Sequence, residues 1–217
     1  MRLPYVPADP ENDMTSEEDK AVVARVKERR GGKLMELDRA LLHAPPVADG
    51  WNAFLKSIRT QTTLSPSIRE TAICRVAVLN SAWYEWSAHL PLLEASLPTP
   101  HSPSSKALIA EIRHRPRDFA LPQQTEAKIQ ARIHEKGLDR QEEGFDAAHA
   151  AVLRYTDAMT LDVKVPADVF AELKGHFTDR EVVEITATVA AYNTVSRFLV
   201  ALDVGEMNEK FAGEKEV

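Results

Sequence analysis

The chain is poor in the residues that most often announce a known chemistry. Its one cysteine, Cys74, closes no internal disulfide and belongs to no CxxC redox pair. Glycine is scarce, at 8 residues, and neither GxGxxG nor GxxxxGK occurs. That excludes the glycine-built phosphate cradles of dinucleotide and P-loop proteins. There is no excess of positive charge, and a formal net charge of −6 argues against nucleic acid as a partner. No run reaches the roughly 18 apolar residues that a bilayer-spanning helix needs. The opening MRLPYVPADPEND also lacks the apolar centre of a secretory leader. The expectation is a cytoplasmic protein with no membrane partner. Neither HxxxH nor HExxH is present. Glu85 and His89 offer two ligands to a metal and the sequence names no third, so no metal is expected.

What is present is helical periodicity. At 217 residues and 44% hydrophobic, the chain suits one domain with a real core. Residues 1–14 read as an extended, Pro- and Asp-rich arm, 15–205 as the domain, and 206–217 as a fraying tail. Thr15 with Glu18 has the reciprocal capping pattern of a first helix, which Gly31 and Gly32 stop. A second helix over about 33–43 ends at Pro45 and Pro46, and a third carries Trp51, Phe54, Leu55 and Ile58 on one face. Ser65 caps the next, with Pro66 at its first position. This helix is apolar over most of its girth and belongs at the centre of the core. Residues 81–96 form a further helix that should kink past His89, because Pro91 lies inside it. Residues 98–140 read as a candidate inserted lid with one short helix near 103–114 and a polar helix over 124–137. Helices over about 141–161, from Pro166, and from a second reciprocal cap at Thr178 and Glu181 complete an all-α chain. A faint echo relates residues 65–80 to 178–193. Each is a capped, apolar helix ending near an Asn, which suggests two helical hairpins of similar build.

The candidate chemistry centres on WYEWSAHLP, residues 83–91, where two of the three tryptophans flank Glu85 and His89. At i and i+4 the carboxylate and the imidazole project from one helix face, so the carboxylate can orient the ring or hold it protonated. A solvated surface pair is the plain alternative. Glu70 and Arg75 flank the apolar helix before it, either reaching a shared pocket or extending their charged ends to solvent. Tyr192, Asn193 and Arg197 sit on the last long helix, where Arg197 offers a fork to a substrate carboxylate or makes a helix-end salt bridge. Trp51 is a core residue or a pocket wall. Cys74 falls mid-helix on an apolar face and reads as a small buried hydrophobe.

The run LSPSIRETAICRVAVLNSAWYEWSAHLPLLEA resembles the carboxymuconolactone decarboxylase family, within the AhpD-like fold. VPADVFAELKGHFTDREVVEITATVAAYNTVSRFLVALDV is similar to the ending of its longer members. The resemblance implies an AhpD-like helical bundle and a homo-oligomer, a trimer or a multiple of three. Peroxidase-type members carry a Glu, a CxxC pair and a His four residues after the second Cys. Laid on His89, that pattern puts Glu70 at the Glu, Ala82 at the first Cys and Glu85 at the second. Both thiols are missing, so the resemblance implies the decarboxylase-type branch. The implied substrate is a small unsaturated lactone- or keto-type carboxylic acid. Such a substrate carries its own electron sink, so no cofactor is expected. His89 is then proton donor or base with Glu85 as its partner, and Glu70 relays protons or orients a neighbour. Arg75 and Arg197 would bind carboxylate or enolate oxygen, Tyr192 would contribute to binding, and Trp83, Tyr84 and Trp86 would form an aromatic wall. A non-decarboxylating isomerase or dehydratase, and a non-catalytic oligomeric binding protein, stay open as alternatives.

Overall fold

The structure is a computed structural model that describes residues 1–115 and 146–210. Among these residues the only regular elements are helices: α1 (Glu17–Arg29), α2 (Glu36–Leu41), α3 (Pro45–Thr60), α4 (Pro66–Leu79), α5 (Trp83–Ser96), α6 (Pro103–His114), α7 (Ala147–Leu161), α8 (Ala167–His176) and α9 (Asp179–Leu202), with 3₁₀ turns at Pro10–Asn12 and Val204–Glu206. The expected helix over 124–137, most of the expected lid and the end of the tail lie outside the described residues.

α4 is the hub. Every residue from Glu70 to Leu79 is buried, so the helix needs neighbours on all sides. It packs against α5, α6, α7 and α9. The main core joins Leu55 and Ile58 of α3, Ile68, Ile73 and Val76 of α4, Val152 and Tyr155 of α7, and Ile185, Val189 and Tyr192 of α9. A second cluster lies on the other flank of α4, where Cys74, Ala77 and Val78 meet Trp83, Trp86, Leu93, Leu108, Ile112 and Leu153. α9 is long and apolar enough, by length and composition, to cross a membrane. Here it is a core helix, packed against α3, α4 and α7. The two helices of the sequence echo are therefore neighbours. Asn80, the C-cap of α4, meets Asn193 in the middle of α9, with Asn80 Nδ2 donating to Asn193 Oδ1 at 3.1 Å.

The caps explain most boundaries. Ser65 Oγ accepts from the amide of Ile68, and Thr178 forms the reciprocal box with Glu181. At α1 the cap is Ser16, which accepts from Asp19, rather than Thr15. Pro45 and Pro46 open α3 instead of closing α2. The first turn of a helix donates no amide internally, so proline is tolerated there. α5 continues through Pro91 to Ser96.

The arm is a strap rather than a free end. The Arg2 amide donates to Leu202 O at 2.8 Å, the Gly205 amide donates to Tyr5 Oη at 2.8 Å, and Arg39 Nε donates to Val6 O at 2.6 Å. The strap thereby ties α2 to the end of α9, beside the mouth of the cleft described next.

Candidate active site

Five helices converge on one cleft of about 480 Å³, counted to its open mouth, with Leu37 of α2 and its N-cap Met35 on the wall. α5 supplies Tyr84, Glu85, Ala88 and His89, one turn apart on one face, as the i, i+4 spacing requires. α9 supplies Tyr192, Val195 and Leu199. α3 supplies Trp51, Leu55 and Arg59. Arg29 and Arg30 at the end of α1 complete the rim.

His89 is buried and held at both ring nitrogens. Nδ1 lies 2.7 Å from Glu70 Oε2, and Nε2 lies 2.7 Å from Arg59 Nη2. A guanidinium only donates, so Nε2 accepts from Arg59. Nδ1 then carries the proton and donates it to Glu70. This is a neutral imidazole of one defined tautomer. Burial lowers its pKa, the Glu70 hydrogen bond opposes that, and the Arg59 charge lowers it further. Glu70 is steadied from behind by Arg69 Nε at 3.3 Å. The edge of the His89 ring rests on Tyr192, with centroids 5.0 Å apart.

Glu85 is not the hydrogen-bond partner of His89, contrary to the expectation from spacing. Its Oε1 accepts from Ser196 Oγ at 2.9 Å, and its Oε2 is buried with no partner. Burial pushes the carboxyl well above the usual carboxylate range, against the pull of Ser196 and Arg59. Burial favours the protonated acid over the carboxylate. The partner of His89 is Glu70, reached from the neighbouring helix.

The three arginines of the cleft are unequally paired. Arg29 Nη2 and Arg30 Nη2 both donate to the buried Asp38, each at 3.2 Å. Arg59 donates from Nε to Tyr192 Oη at 2.8 Å and from Nη2 to His89, and among the described residues it forms no ion pair with a carboxylate. The sequence reading missed Arg59. The signal was there, because Arg59 continues the helical stripe of Trp51 and Leu55 at i+8 and i+4 and so carries a cation onto an apolar face.

Four expected site residues lie away from both the cleft and His89, and Glu70 joins the site only through His89. Arg75 lies five residues from Glu70, about 140° around the helix, and so faces the opposite flank. There it is fully buried, with Nε donating to Asp157 Oδ1 and the other nitrogens to Ile112 O and Arg115 O. Arg197 is five residues from Tyr192, and the same rotation sends it to the surface, where it donates to Asn193 O. Trp83 and Trp86 belong to the second core cluster, because a straight helix cannot turn positions 83, 84 and 86 to one side. Tyr84 alone of that trio lines the cleft, and its hydroxyl donates to Glu36 at 2.9 Å. Trp51 takes the wall position, tilted against Phe198 at 5.3 Å. Among the described residues no three His, Cys, Asp or Glu side chains gather as metal ligands.

No family model and no curated protein matches the sequence. Solved structures do match the fold. A peroxidase-related protein from Silicibacter sp. TM1040 superposes with a TM-score of 0.62 at 16% identity, covering 95% of each chain. An AhpD-core, peroxidase-related protein from Ralstonia eutropha JMP134 gives 0.62 at 16% identity over 95% of this chain and 94% of that one. The debrominase Bmp8 gives 0.62 at 13% identity over 94% and 92%, and a C82A form of Bmp8 was solved with 2,3,4-tribromopyrrole.

The fold is AhpD-like.

Within this AhpD-like fold no thiol faces the cleft. Cys74 is wholly buried in the second core cluster, and burial pushes its thiol pKa well up. Glu85, which the resemblance lays on the second thiol position, faces the cleft instead. Ala82, on the first, is the buried N-cap of α5.

Proposed function

We propose that the chain is a thiol-free acid–base enzyme acting on a small unsaturated lactone- or keto-type carboxylic acid. One observation carries the reading. A neutral imidazole and a buried carboxyl, pushed to opposite protonation preferences, share one cleft. In the decarboxylase form of the reaction, the bond to the substrate carboxylate breaks and CO₂ leaves. The bond's electron pair flows to the conjugated carbonyl and makes a dienolate. Arg59 and the Tyr192 hydroxyl stand where they can donate to that oxygen. Glu85 then gives its carboxyl proton to carbon and recovers one from water. The substrate's own carbonyl is the electron sink, so the reading needs no cofactor. It includes a homo-oligomer in the cytoplasm, a trimer or multiple of three, which light scattering on the purified chain checks.

The pairing of a base with an acid supports a second reading, isomerisation or dehydration without loss of CO₂. His89 Nε2 takes the α-proton and Glu85 delivers one elsewhere on the conjugated system. One experiment separates the readings. The protein is incubated in D₂O with a panel of unsaturated lactone and keto acids, and CO₂ and deuterium incorporation are followed together. CO₂ with one deuteron on carbon supports the decarboxylase. Deuterium without CO₂ supports the isomerase. Saturable binding with neither makes the chain a binding protein and overturns both.

A further inference from the structure

Arg59 holds His89 in a way that disables it. A base needs a free lone pair, and the Nε2 lone pair is occupied by Arg59 Nη2 at 2.7 Å. The same guanidinium donates from Nε to Tyr192 Oη at 2.8 Å. Nε and Nη2 form the side-on fork of arginine, the edge that grips both oxygens of a carboxylate. Here two neutral acceptors from α5 and α9 fill it, and no carboxylate pairs with Arg59 among the described residues.

We infer that the anionic group of the ligand takes the side-on fork of Arg59, and in doing so frees His89 Nε2 and the Tyr192 hydroxyl together. Arg59 is thus a positioning residue that couples ligand charge to the availability of the base. This rests on the acid–base reading of the cleft and adds a ligand requirement: an anionic oxygen pair beside an apolar body that fits between Trp51, Leu55 and Tyr84. The exchange is favourable because a carboxylate brings an opposite charge and a matched pair of oxygens to the fork, which two separate neutral acceptors do not. Arg59 sits in the last turn of α3, half-buried, on a long side chain that can swing without disturbing the helix. Neutral ligands leave the fork as it is, so the base stays capped against them.

The groups that face His89 set the sign of the effect. Glu70 and Arg69 lie on α4, Glu85 on its own helix, Tyr192 on α9, Arg59 on α3, and Arg29 and Arg30 at the rim from α1. Of these, Glu70 and Arg69 remain in place when an anion arrives. The Arg59 charge, which holds the imidazole pKa down, becomes neutralised and withdrawn. The pKa of His89 therefore rises on anion binding.

The test is an NMR titration of the histidine rings in the full chain, with benzoate as the probe and benzyl alcohol at equal ionic strength as the uncharged control. His89→Gln assigns the resonance. Saturating benzoate is expected to raise the His89 pKa by about one unit, with no change in benzyl alcohol. Arg59→Met is expected to start at the raised value and to ignore benzoate. Arg59→Lys keeps the charge but has no fork, and is expected to lose most of the response. Three outcomes overturn the inference: benzoate that fails to bind, benzoate that shifts other cleft resonances while His89 stays still, or an Arg59→Met response equal to that of the native chain. Should both Arg59 variants misfold, benzoate against benzyl alcohol in the native chain decides alone. The measurement needs no turnover, so its failure leaves the acid–base reading standing, and loss of that reading comes from the D₂O experiment instead.

Discussion

Two charged clusters hang from opposite flanks of α4, and they are built on different rules. On one flank Asp157 lies between Arg75 and Arg115, accepting from Arg75 Nε on one oxygen and from Arg115 Nε at 2.9 Å on the other. The remaining Arg75 nitrogens reach the carbonyls of Ile112 and Arg115, which end α6. On the other flank, among the described residues, Arg59 has only neutral acceptors and Glu85 Oε2 has none. A buried charge is tolerated when its hydrogen bonds are made, and a buried polar atom without a partner costs free energy. The first cluster is organised to hold α6 and α7 on the hub. The second leaves capacity unspent, facing a cleft, where a ligand can complete it. Fully paired charge marks architecture here, and underpaired charge marks the candidate site.

The sharpest break in the comparison is chemical. If His89 Nε2 is the base of the isomerisation or dehydration reading, His89→Gln is expected to lower turnover by about 10²- to 10⁴-fold, the usual span for a lost acid or base, with the helical circular dichroism unchanged. Retained turnover would make the proton-transfer role of His89 wrong. Asp157→Ala works on the opposite flank. It strands two buried guanidiniums and should cost about 3–5 kcal/mol of stability, read by denaturant unfolding, while benzoate still shifts His89 in whatever fraction stays folded. A loss under about 1 kcal/mol would mean that this cluster is no stronger than a surface pair. Gly205→Ala tests the wall between strap and cleft. Gly205 has φ +77°, and an added Cβ would lie 2.3 Å from the Tyr84 ring. The expected cost is about 1–3 kcal/mol, with weaker benzoate binding as Tyr84 moves. Unchanged affinity would remove Tyr84 from the cleft wall.

The smallest effect is a pH profile. In the folded state burial raises the Glu85 pKa above the ordinary glutamate value of 4.5. Such a group stabilises fully below about 4.5, and its contribution is lost as pH rises through the folded pKa. Glu85→Gln removes that dependence. The variant should gain in Tm relative to the native chain as pH climbs from 5 to 8, while its turnover falls. His89 has the opposite sign. Its lowered pKa leaves stability present above 6.5 and lost as pH falls towards the folded value. A native and a Glu85→Gln chain with parallel Tm profiles would show that Glu85 is ionised like an ordinary carboxylate.

Much of the helix layout was readable without coordinates. The girth-wide apolar pattern of α4, the Ser65 and Thr178 caps and the i, i+4 placement of Glu85 and His89 on one face are local properties, set within a turn or two of chain. Local rules also explain the misreadings. Pro45 and Pro46 can end one helix or start the next, and only packing chooses. The 140° rotation that removes Arg75 and Arg197 from the cleft was computable from their spacing to Glu70 and Tyr192. It became decisive once the facing side was known.

The sequence by itself determined an all-α chain with a buried central helix, one thiol too isolated for redox pairing, and an imidazole and a carboxyl one turn apart. Only the tertiary structure decided which carboxylate holds His89, that Arg59 rather than Arg75 meets it, and that Cys74 faces away. Those outcomes depend on which faces of α3, α4, α5 and α9 are brought together. Contacts across 19, 30 and 111 residues of chain, from His89 to Glu70, from Arg59 to His89 and from Glu85 to Ser196, have no signature in local spacing. They exist because burying four apolar stripes at once permits one arrangement of the helices, and the polar groups on those stripes meet where that arrangement leaves them.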